Sequence, residues 1–334
     1  MKLNRYELLD ALQLPLPDEN ADLQAAKHVE RPWYISFILG ASGWLAGIFL
    51  LIFVGFLFFK QNAPSAMLVA CVVLTASAWG LYKADPDGAF VSQLALALSV
   101  AGQILLVVGV AQLHHGYAWP AFAALIVEIL FVFIMPNALH RMLSALFACT
   151  ALAVGVRYGL FAGTHGLGYY DYALQAPQTL SYSIASWAIS WLPVAVLVYW
   201  LVRYEARWMA RGWQPIVRPA LSGLIVGLSF ATFISHPFES FNWQMRHMTD
   251  SGWLALWPLL SVVAAIGGMV AGYALKSRRL MGASIVGALL HIAHFYYALG
   301  TSLLIKSLIM LAMGAVMLAV AYLLHTTKRQ GESA

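Results

Sequence analysis

Ten apolar stretches of about 20 residues each account for most of this 334-residue chain. A helix rises about 1.5 Å per residue, so roughly 20 residues cross the roughly 30 Å hydrocarbon layer of a bilayer. Helices are the expected spanning form, because these stretches lack the alternation of a barrel strand and backbone groups in lipid must be satisfied within their own segment. The sequence therefore predicts an all-α, polytopic transmembrane helix bundle with about ten spans.

Composition agrees with a membrane protein, because 61% of the residues are hydrophobic and only 10% are charged. A soluble domain of this size would need more charged residues on its surface. The remaining sequence divides into a cytoplasmic amphipathic segment (1–32), the bundle (33–325) and a cytoplasmic tail (326–334). The predicted spans are Trp33–Phe59, Pro64–Tyr82, Phe90–Gln112, Tyr117–Met135, Ala138–Tyr158, Tyr182–Val202, Ile216–Ser235, Trp253–Leu275, Leu280–Leu299 and Thr301–Leu324.

The distribution of Lys and Arg predicts the orientation, since cationic loops are retained in the cytoplasm. With a cytoplasmic N-terminus and ten spans, fifteen of the nineteen positive residues fall on the inner side, three fall outside and Lys306 lies within the last span. Both termini are then cytoplasmic. The net charge of +5 is spread over loop ends and forms no basic groove, so it does not indicate a nucleic-acid-binding protein. These residues instead lie at a membrane face and orient the protein in the lipid bilayer.

Ten spans that enter and leave on the same side divide into five plus five. A unit of five spans repeated in sequence must have opposite orientations in its two copies, as in the inverted repeats of many transporters. A faint similarity between residues 140–146 and 305–311 places a basic residue soon after a tight turn in both segments. The 5+5 inverted repeat is therefore one possible organisation of the bundle.

Glu128 lies near the centre of the fourth predicted span, within Ala-Leu-Ile-Val-Glu-Ile-Leu-Phe-Val. A charged residue at such a depth costs at least about 2.5–3.5 kcal/mol unless it is paired or hydrated. Two interpretations are open. Glu128 either carries a proton or binds a cation, or it is a protonated core residue that hydrogen-bonds a neighbour such as Gln103.

A second group of ionisable residues lies in the ninth and tenth spans. His294 precedes Gly300 by six residues and Lys306 follows it by six, so the two lie at matching depth on neighbouring helices if Gly300 is the turn. His291 is on the same helical face as His294, one turn deeper. Lys306 would then face His294 with a carboxylate such as Glu128 as its partner, or it would extend outward to the lipid headgroups.

The histidines leave a metal-dependent alternative open. His291 and His294 are three residues apart, whereas the usual helical zinc pair is four apart with further ligands nearby. Seven of the ten histidines fall on the predicted outer half, so outer loops could supply ligands. No nucleophile with an adjacent base, phosphate-binding loop or dinucleotide motif is identified, and no cofactor is assigned.

Two segments carry patterns that are more specific than hydropathy. The first runs from His294 to Ser307, with a Tyr-Tyr-x-Leu-Gly pattern and a Lys-Ser pair, and continues into residues 313–318; the second is residues 136–141. Both resemble bacterial membrane proteins classified as the domain of unknown function 4401 family. The resemblance implies a protein of the bacterial inner membrane with no assigned activity, often encoded beside a small membrane-anchored protein bearing a GDYxxLxY motif. It points to the following residues: Tyr296, Tyr297, Gly300, Lys306 and Ser307, with Asn137, His140 and Arg141 as weaker matches.

The leading hypothesis is a non-enzymatic membrane protein. It is either transporter-like, with a buried polar site in spans four, five, nine and ten, or the membrane subunit of an envelope complex. The candidate site consists of Glu128, His291, His294 and Lys306. The competing hypothesis is an intramembrane metal-dependent enzyme that acts on a lipid-linked substrate through its histidines and outer-loop acids.

Overall fold

The computed structural model describes residues 33–59, 63–86, 88–114, 118–157, 180–235, 257–298, 303–308, 310–312, 314–315 and 318–319. Within these ranges the chain is helical and contains no strand. The predicted amphipathic segment 1–32, the predicted outer loops around 160–179 and 236–256, the predicted turn at Gly300 and the predicted tail 326–334 lie outside the described residues.

Eleven helices have defined bounds in the described ranges. They are α1 (Trp33–Phe59), α2 (Pro64–Ala84), α3 (Ala89–Leu113), α4 (Ala118–Ile134), α5 (Ala138–Gly155), α6 (Leu180–Arg203), α7 (Glu205–Ala210), α8 (Gln214–Ser229), α9 (Ala231–Ser235), α10 (Trp257–Ala274) and α11 (Arg278–Ala298).

Four of the described helical segments are long and apolar enough to cross a membrane. They are Pro64–Ala84, Ala89–Leu113, Ala138–Gly155 and Ile184–Arg203, and shorter apolar helices accompany them, among them Ala118–Ile134. The prediction of an all-helical fold is therefore confirmed for the described residues, and the four candidate spans support its membrane location. The number of ten spans, the position of the termini and the inverted repeat stay predictions.

The distribution of residues between surface and interior also indicates a lipid environment. Large apolar side chains point outward along the helices, as at Phe49 on α1, Val72 on α2 and Tyr273 on α10. Small polar side chains are buried instead, including Ser99 on α3 and Ser229 on α8. Extensive apolar surface is a liability in water, whereas helices in lipid associate through small and polar residues.

Helices α5 and α8 lie at the centre of the described bundle. One side of α5 packs against α4, and another side packs against α8. Helix α3 packs with α1, α2 and α4, while α8 also contacts α6, α10 and α11. The α5–α8 interface thus joins the helices before residue 160 to those after residue 180.

Glycines allow the central helices to approach closely. A Cβ atom at Gly223 of α8 would clash with the backbone carbonyl of Met142 on α5, and one at Gly287 of α11 would clash with the carbonyl of Ser229. Small residues at such interfaces let helix backbones approach in the absence of a hydrophobic driving force between helices. These contacts fix which faces of α8 and α11 meet their neighbours.

The seventh predicted span, Ile216–Ser235, was expected to be one helix, and that prediction is wrong. The structure divides it into α8 and α9, with a turn at Phe230. The Ser229 hydroxyl donates to the carbonyl of Ile225 at 2.7 Å, and such bonds to the residue four positions earlier favour helix bending. The short helix α7, which precedes α8, was also not predicted.

The turn between α4 and α5 agrees with the predicted hairpin. Pro136 and Asn137 are not helical, and α4 packs against α5. The Asn137 side chain accepts a hydrogen bond of 3.1 Å from the backbone N–H of His140. This is an N-cap, which satisfies one of the unpaired N–H groups at the start of α5.

A pair of glycine substitutions on α11 tests the close packing. Gly287→Ala forces α11 away from the Ser229 backbone, and overpacking of this kind costs about 1–3 kcal/mol. We therefore expect a lower thermal unfolding temperature in detergent. Gly282→Ala is the matched control, since a Cβ there has nothing within 4 Å. Equal unfolding temperatures for the two variants would contradict the packing described.

Candidate functional site

Glu128 of α4 is buried, with 3% of its surface exposed. Its carboxyl group lies beside the hydroxyl of Ser144 on α5. The two groups are close enough to hydrogen-bond each other, but Glu128 Oε2 and Ser144 Oγ are not aligned in a regular hydrogen bond with each other or with another protein atom. Because nearly all buried polar atoms in proteins are hydrogen-bonded, this pair is the candidate polar site on α4 and α5.

The expected partners of Glu128 lie elsewhere. Among the residues that the structure describes, no cationic side chain forms an ion pair with Glu128; the ion pair found there joins Arg218 to Glu205 at 3.2 Å. Gln103 does not bond Glu128 either, since its amide donates to Ser99 Oγ at 3.5 Å. The pairing of Glu128 with Lys306, Arg141, His291 or Gln103 is therefore not found.

His140 is the centre of a buried network that joins three helices. Its Nδ1 atom lies 3.3 Å from the hydroxyl of Tyr82 on α2. Its Nε2 atom lies 3.3 Å from Ser99 Oγ on α3. The edge of the imidazole also contacts Phe131 of α4, with ring centroids 5.8 Å apart. His140 was expected only as a supporting residue, whereas the structure places it among four helices.

A second polar cluster lies where α8 ends. The Ser229 carbonyl accepts a hydrogen bond of 3.1 Å from His291 Nε2 on α11. The hydroxyls of Ser229 and Ser284 lie 2.8 Å apart. The helix break frees the Ser229 carbonyl from the regular helical ladder, and His291 satisfies it. His291 thereby holds the broken helix against α11.

The tautomer of His291 follows from this bond. Because a carbonyl only accepts, Nε2 carries the hydrogen, and in the neutral ring Nδ1 is then an acceptor. This Nδ1 is buried and has no hydrogen-bond partner. Phe233 of α9 stacks on the imidazole at 5.0 Å and contacts the His294 ring edge-on at 5.6 Å. The second cluster therefore contains a buried acceptor nitrogen, His291 Nδ1, on a ring that is stacked against Phe233.

The two clusters are separate in the described part of the chain. Glu128 lies between α4 and α5, whereas His291 lies between α8 and α11, and α4 shares no extended interface with α11. His294 and Lys306 are both half-buried, and Lys306 lies on the helical segment 303–308. The structure thus brings His291 and His294 together around Phe233 and places Glu128 elsewhere.

The other family-pattern residues take structural positions where they are described. Arg141 Nη1 donates to the carbonyl of Pro215 at the start of α8. The Ser307 hydroxyl is exposed and donates to the carbonyl of Leu303 at 2.9 Å. The side chains of Tyr296 and Tyr297 and all of Gly300 lie outside the described residues.

The sequence did not single out Tyr82, Ser99, Ser144 or Ser229. A serine or tyrosine at a span position carries little signal alone, because either residue also occurs on lipid-facing and interfacial surfaces. Among the described residues, no three His, Cys, Asp or Glu side chains are grouped to hold a metal ion. The free cysteines Cys71 and Cys149 are buried.

A comparison with protein families matches the chain over residues 32–252 and 252–327 to the family described as Domain of unknown function (DUF4401). The match covers most of the chain and confirms the resemblance seen in the sequence. No curated protein and no solved structure matches the chain.

Replacing His291 tests its role at the helix break. His291→Phe retains an aromatic ring against Phe233 but leaves the buried Ser229 carbonyl without a donor. An unsatisfied buried group costs about 1–3 kcal/mol, so we expect a lower free energy of unfolding in detergent. Leu290→Phe introduces the same ring at the neighbouring exposed position and serves as the control. The proposed role of His291 in holding the end of α8 against α11 is wrong if both variants unfold like the wild type.

Proposed function

This chain belongs to the DUF4401 family, a domain of unknown function, and we propose that it is a transporter-like, multi-pass protein of the bacterial inner membrane. In this proposal Glu128 binds and releases a proton or a small cation during each cycle. The observation that carries the proposal is the buried, adjacent pair of Glu128 Oε2 and Ser144 Oγ, which form no well-aligned hydrogen bond with any other protein group.

The chemistry of Glu128 supports this role. A carboxylate buried without a counter-ion is very costly, so the resting group is expected to carry a proton. A purely structural glutamic acid would be expected to donate that proton in a well-aligned hydrogen bond, whereas Ser144 is the neighbour of the Glu128 carboxyl and forms no such aligned bond with it. A site that must exchange a proton or cation needs such incompletely satisfied oxygens. Ionisable residues inside a membrane generally mark ion pathways and proton relays.

The proposed topology has ten spans, with both termini in the cytoplasm and a possible 5+5 inverted repeat. The bounds of the described helices support it, because they agree with the predicted spans to within a few residues apart from the divided seventh span. The connection between α6 and α8 also supports it, since Arg207 and Arg211 lie over the rings of Tyr204 and Trp208 there. Basic and aromatic residues together are typical of a cytoplasmic membrane interface.

The second cluster is proposed to bind the transported compound. Transporters commonly place their binding sites where a membrane helix is interrupted, and α8 is interrupted at Phe230 beside His291. Lys306 and His294 would bind an anionic group of that compound. The two clusters then have different tasks, proton or cation exchange at Glu128 and substrate contact near His291.

An envelope complex is the other form of the proposal. Its membrane subunit would bind a small membrane-anchored protein of the GDYxxLxY type. Co-purification of such a protein that survives both Glu128→Gln and Lys306→Ala would favour the complex over the transporter. Stoichiometric bound metal that is lost on replacement of His291 and His294 would favour a metal-dependent enzyme instead.

Carbodiimide labelling tests the role of Glu128 directly. Dicyclohexylcarbodiimide reacts with protonated carboxyl groups in apolar surroundings, so we expect it to modify Glu128 in membranes, with less modification as the pH is raised. Mass spectrometry of the peptide that contains Glu128 measures the modified fraction. Glu128→Gln should abolish this labelling, whereas Glu205→Gln, at the partly exposed ion pair with Arg218, should leave it unchanged.

Transport itself is measured in proteoliposomes that contain a pH-sensitive dye. Addition of the low-molecular-weight fraction of a cell extract should produce a proton flux with the wild type and none with Glu128→Gln. A flux that persists in both Glu128→Gln and Lys306→Ala would overturn the proposed site, as would labelling of Glu128 that does not change with pH.

A further inference from the structure

The network around His140 lies directly beside the Glu128 site. His140 and Ser144 are four residues apart on one face of α5, and Glu128 and Phe131 are three apart on one face of α4. Phe131 contacts His140, and Glu128 lies next to Ser144. The Phe131–His140 contact and the Glu128–Ser144 contact therefore lie about one helical turn, roughly 5.4 Å, apart along the two helices.

The network also extends toward the end of the bundle. Tyr82 is near the C-terminal end of α2, next to the exposed Lys83, which lies over the ring of Trp79. Ser99 is deeper, in the middle of α3, and Gln103 is one turn further along. The bonded chain thus leads from a basic helix end into the interior, where Glu128 lies.

We propose that Tyr82, His140 and Ser99 form a proton path from the cytoplasmic face to Glu128, with Gln103 positioning the Ser99 hydroxyl. The path rests on the proposed proton exchange at Glu128. It extends that proposal by naming the groups that deliver the proton and the side from which it comes.

Each group in the path can both donate and accept a hydrogen. The Tyr82 and Ser99 hydroxyls have one hydrogen and free lone pairs, and neutral His140 has one N–H and one bare nitrogen. The hydrogen bonds can point in either direction along the chain. In one of these two polarities the Tyr82 hydroxyl donates to His140 Nδ1, and His140 Nε2–H donates to Ser99 Oγ. Gln103 Nε2 can only donate, so the Ser99 oxygen accepts this third contact in either polarity.

Proton transfer through this chain balances without a lasting charge. The Tyr82 proton moves to His140 Nδ1, the Nε2 proton moves to Ser99 Oγ, and the Ser99 proton leaves toward Glu128. Tyr82 is itself buried, with 3% of its surface exposed, so its proton is proposed to return through water that enters beside the exposed Lys83 at the end of α2. The imidazole ends as the other tautomer, and rotation of the hydroxyls with a return proton shift resets the chain.

Water is proposed to complete the last step between Ser99 and Glu128. Buried water typically binds polar groups that the protein leaves unsatisfied. Ser144 Oγ and Glu128 Oε2 are two such groups, one turn from His140. No described charged side chain contacts the His140 ring, which faces Tyr82, Ser99 and Phe131, while the guanidinium of the adjacent Arg141 contacts the Pro215 carbonyl on α8. The path is therefore formed by neutral groups.

The test uses sealed membrane vesicles of both orientations with a pH gradient across the membrane. Carbodiimide labelling of Glu128 in the full chain is measured while only the pH at the cytoplasmic face changes. The wild type should follow that pH. Ser99→Ala and Tyr82→Phe should lose this dependence, yet both should still label when the two faces are acidified together.

Ser190→Ala is the matched control for Ser99→Ala. Ser190 is equally buried, but its hydroxyl bonds only the Ser186 carbonyl of its own helix α6. This variant should follow the cytoplasmic pH as the wild type does. Unfolding temperatures of all variants in detergent identify any loss of fold. Gln103→Leu removes only the contact that positions the Ser99 hydroxyl, and it should weaken the dependence of Glu128 labelling on the cytoplasmic pH.

The outcomes separate the path from the function of Glu128. If Ser99→Ala and Tyr82→Phe follow the cytoplasmic pH like the wild type, the path is wrong although Glu128 still exchanges protons. If the wild type responds only to the opposite face, the direction of the path is wrong. If wild-type labelling ignores pH on both faces, the proposed role of Glu128 itself fails.

Discussion

Hydrocarbon offers no hydrogen-bond partner, so each polar group that enters it must find a partner inside the protein. The described helices meet this requirement mostly locally. Hydroxyl groups throughout the bundle donate to backbone carbonyls three or four residues earlier in their own helix, as at Thr75, Ser77, Ser92, Thr150, Ser190, Ser222, Ser229, Ser284 and Ser307. Against this background the unsatisfied atoms of Glu128, Ser144 and His291 are exceptions, as are Gln112 Oε1, Arg141 Nε and Trp208 Nε1 among the described residues.

The same requirement explains the arrangement at the end of α8. A helix break exposes a carbonyl that lipid cannot satisfy, and His291 supplies the missing donor. The contact depends on Gly287, because any larger residue there would meet the Ser229 backbone. The break, the glycine and the histidine are therefore one structural unit, although they are far apart in the sequence.

Much of this fold could be predicted from the sequence, because long apolar runs determine helices almost independently of tertiary contacts. The bounds of α1 agree with the predicted span at both ends, and the Pro136–Asn137 turn lies where expected. The burial of Glu128 was also predictable, since it lies in the middle of an apolar run. The break at Phe230 was not, because the bond that stabilises it comes from His291 on another helix.

The candidate site was predicted less well than the fold for the same reason. Depth in the membrane can be predicted by counting residues, as can the separation of His291 and His294 by one turn of the same helix. Which helices touch does not follow from depth, so grouping Glu128 with His291 had no support beyond their similar polarity. Tyr82, Ser99 and His140 come from three separate spans, and only the packing of α2, α3 and α5 brings them together.

Helix α5 lies between the Glu128 cluster and helix α8, which carries Ser229 of the second cluster. One side carries His140 and Ser144, while another meets Gly223 of α8 at the Met142 carbonyl and Ala145, and Arg141 donates from its first turn to the Pro215 carbonyl. A movement of α5 at Glu128 would therefore be passed to α8, which carries Ser229. If the two proposed sites are coupled in this way, binding at one changes the affinity of the other by the same factor, since thermodynamic linkage is reciprocal.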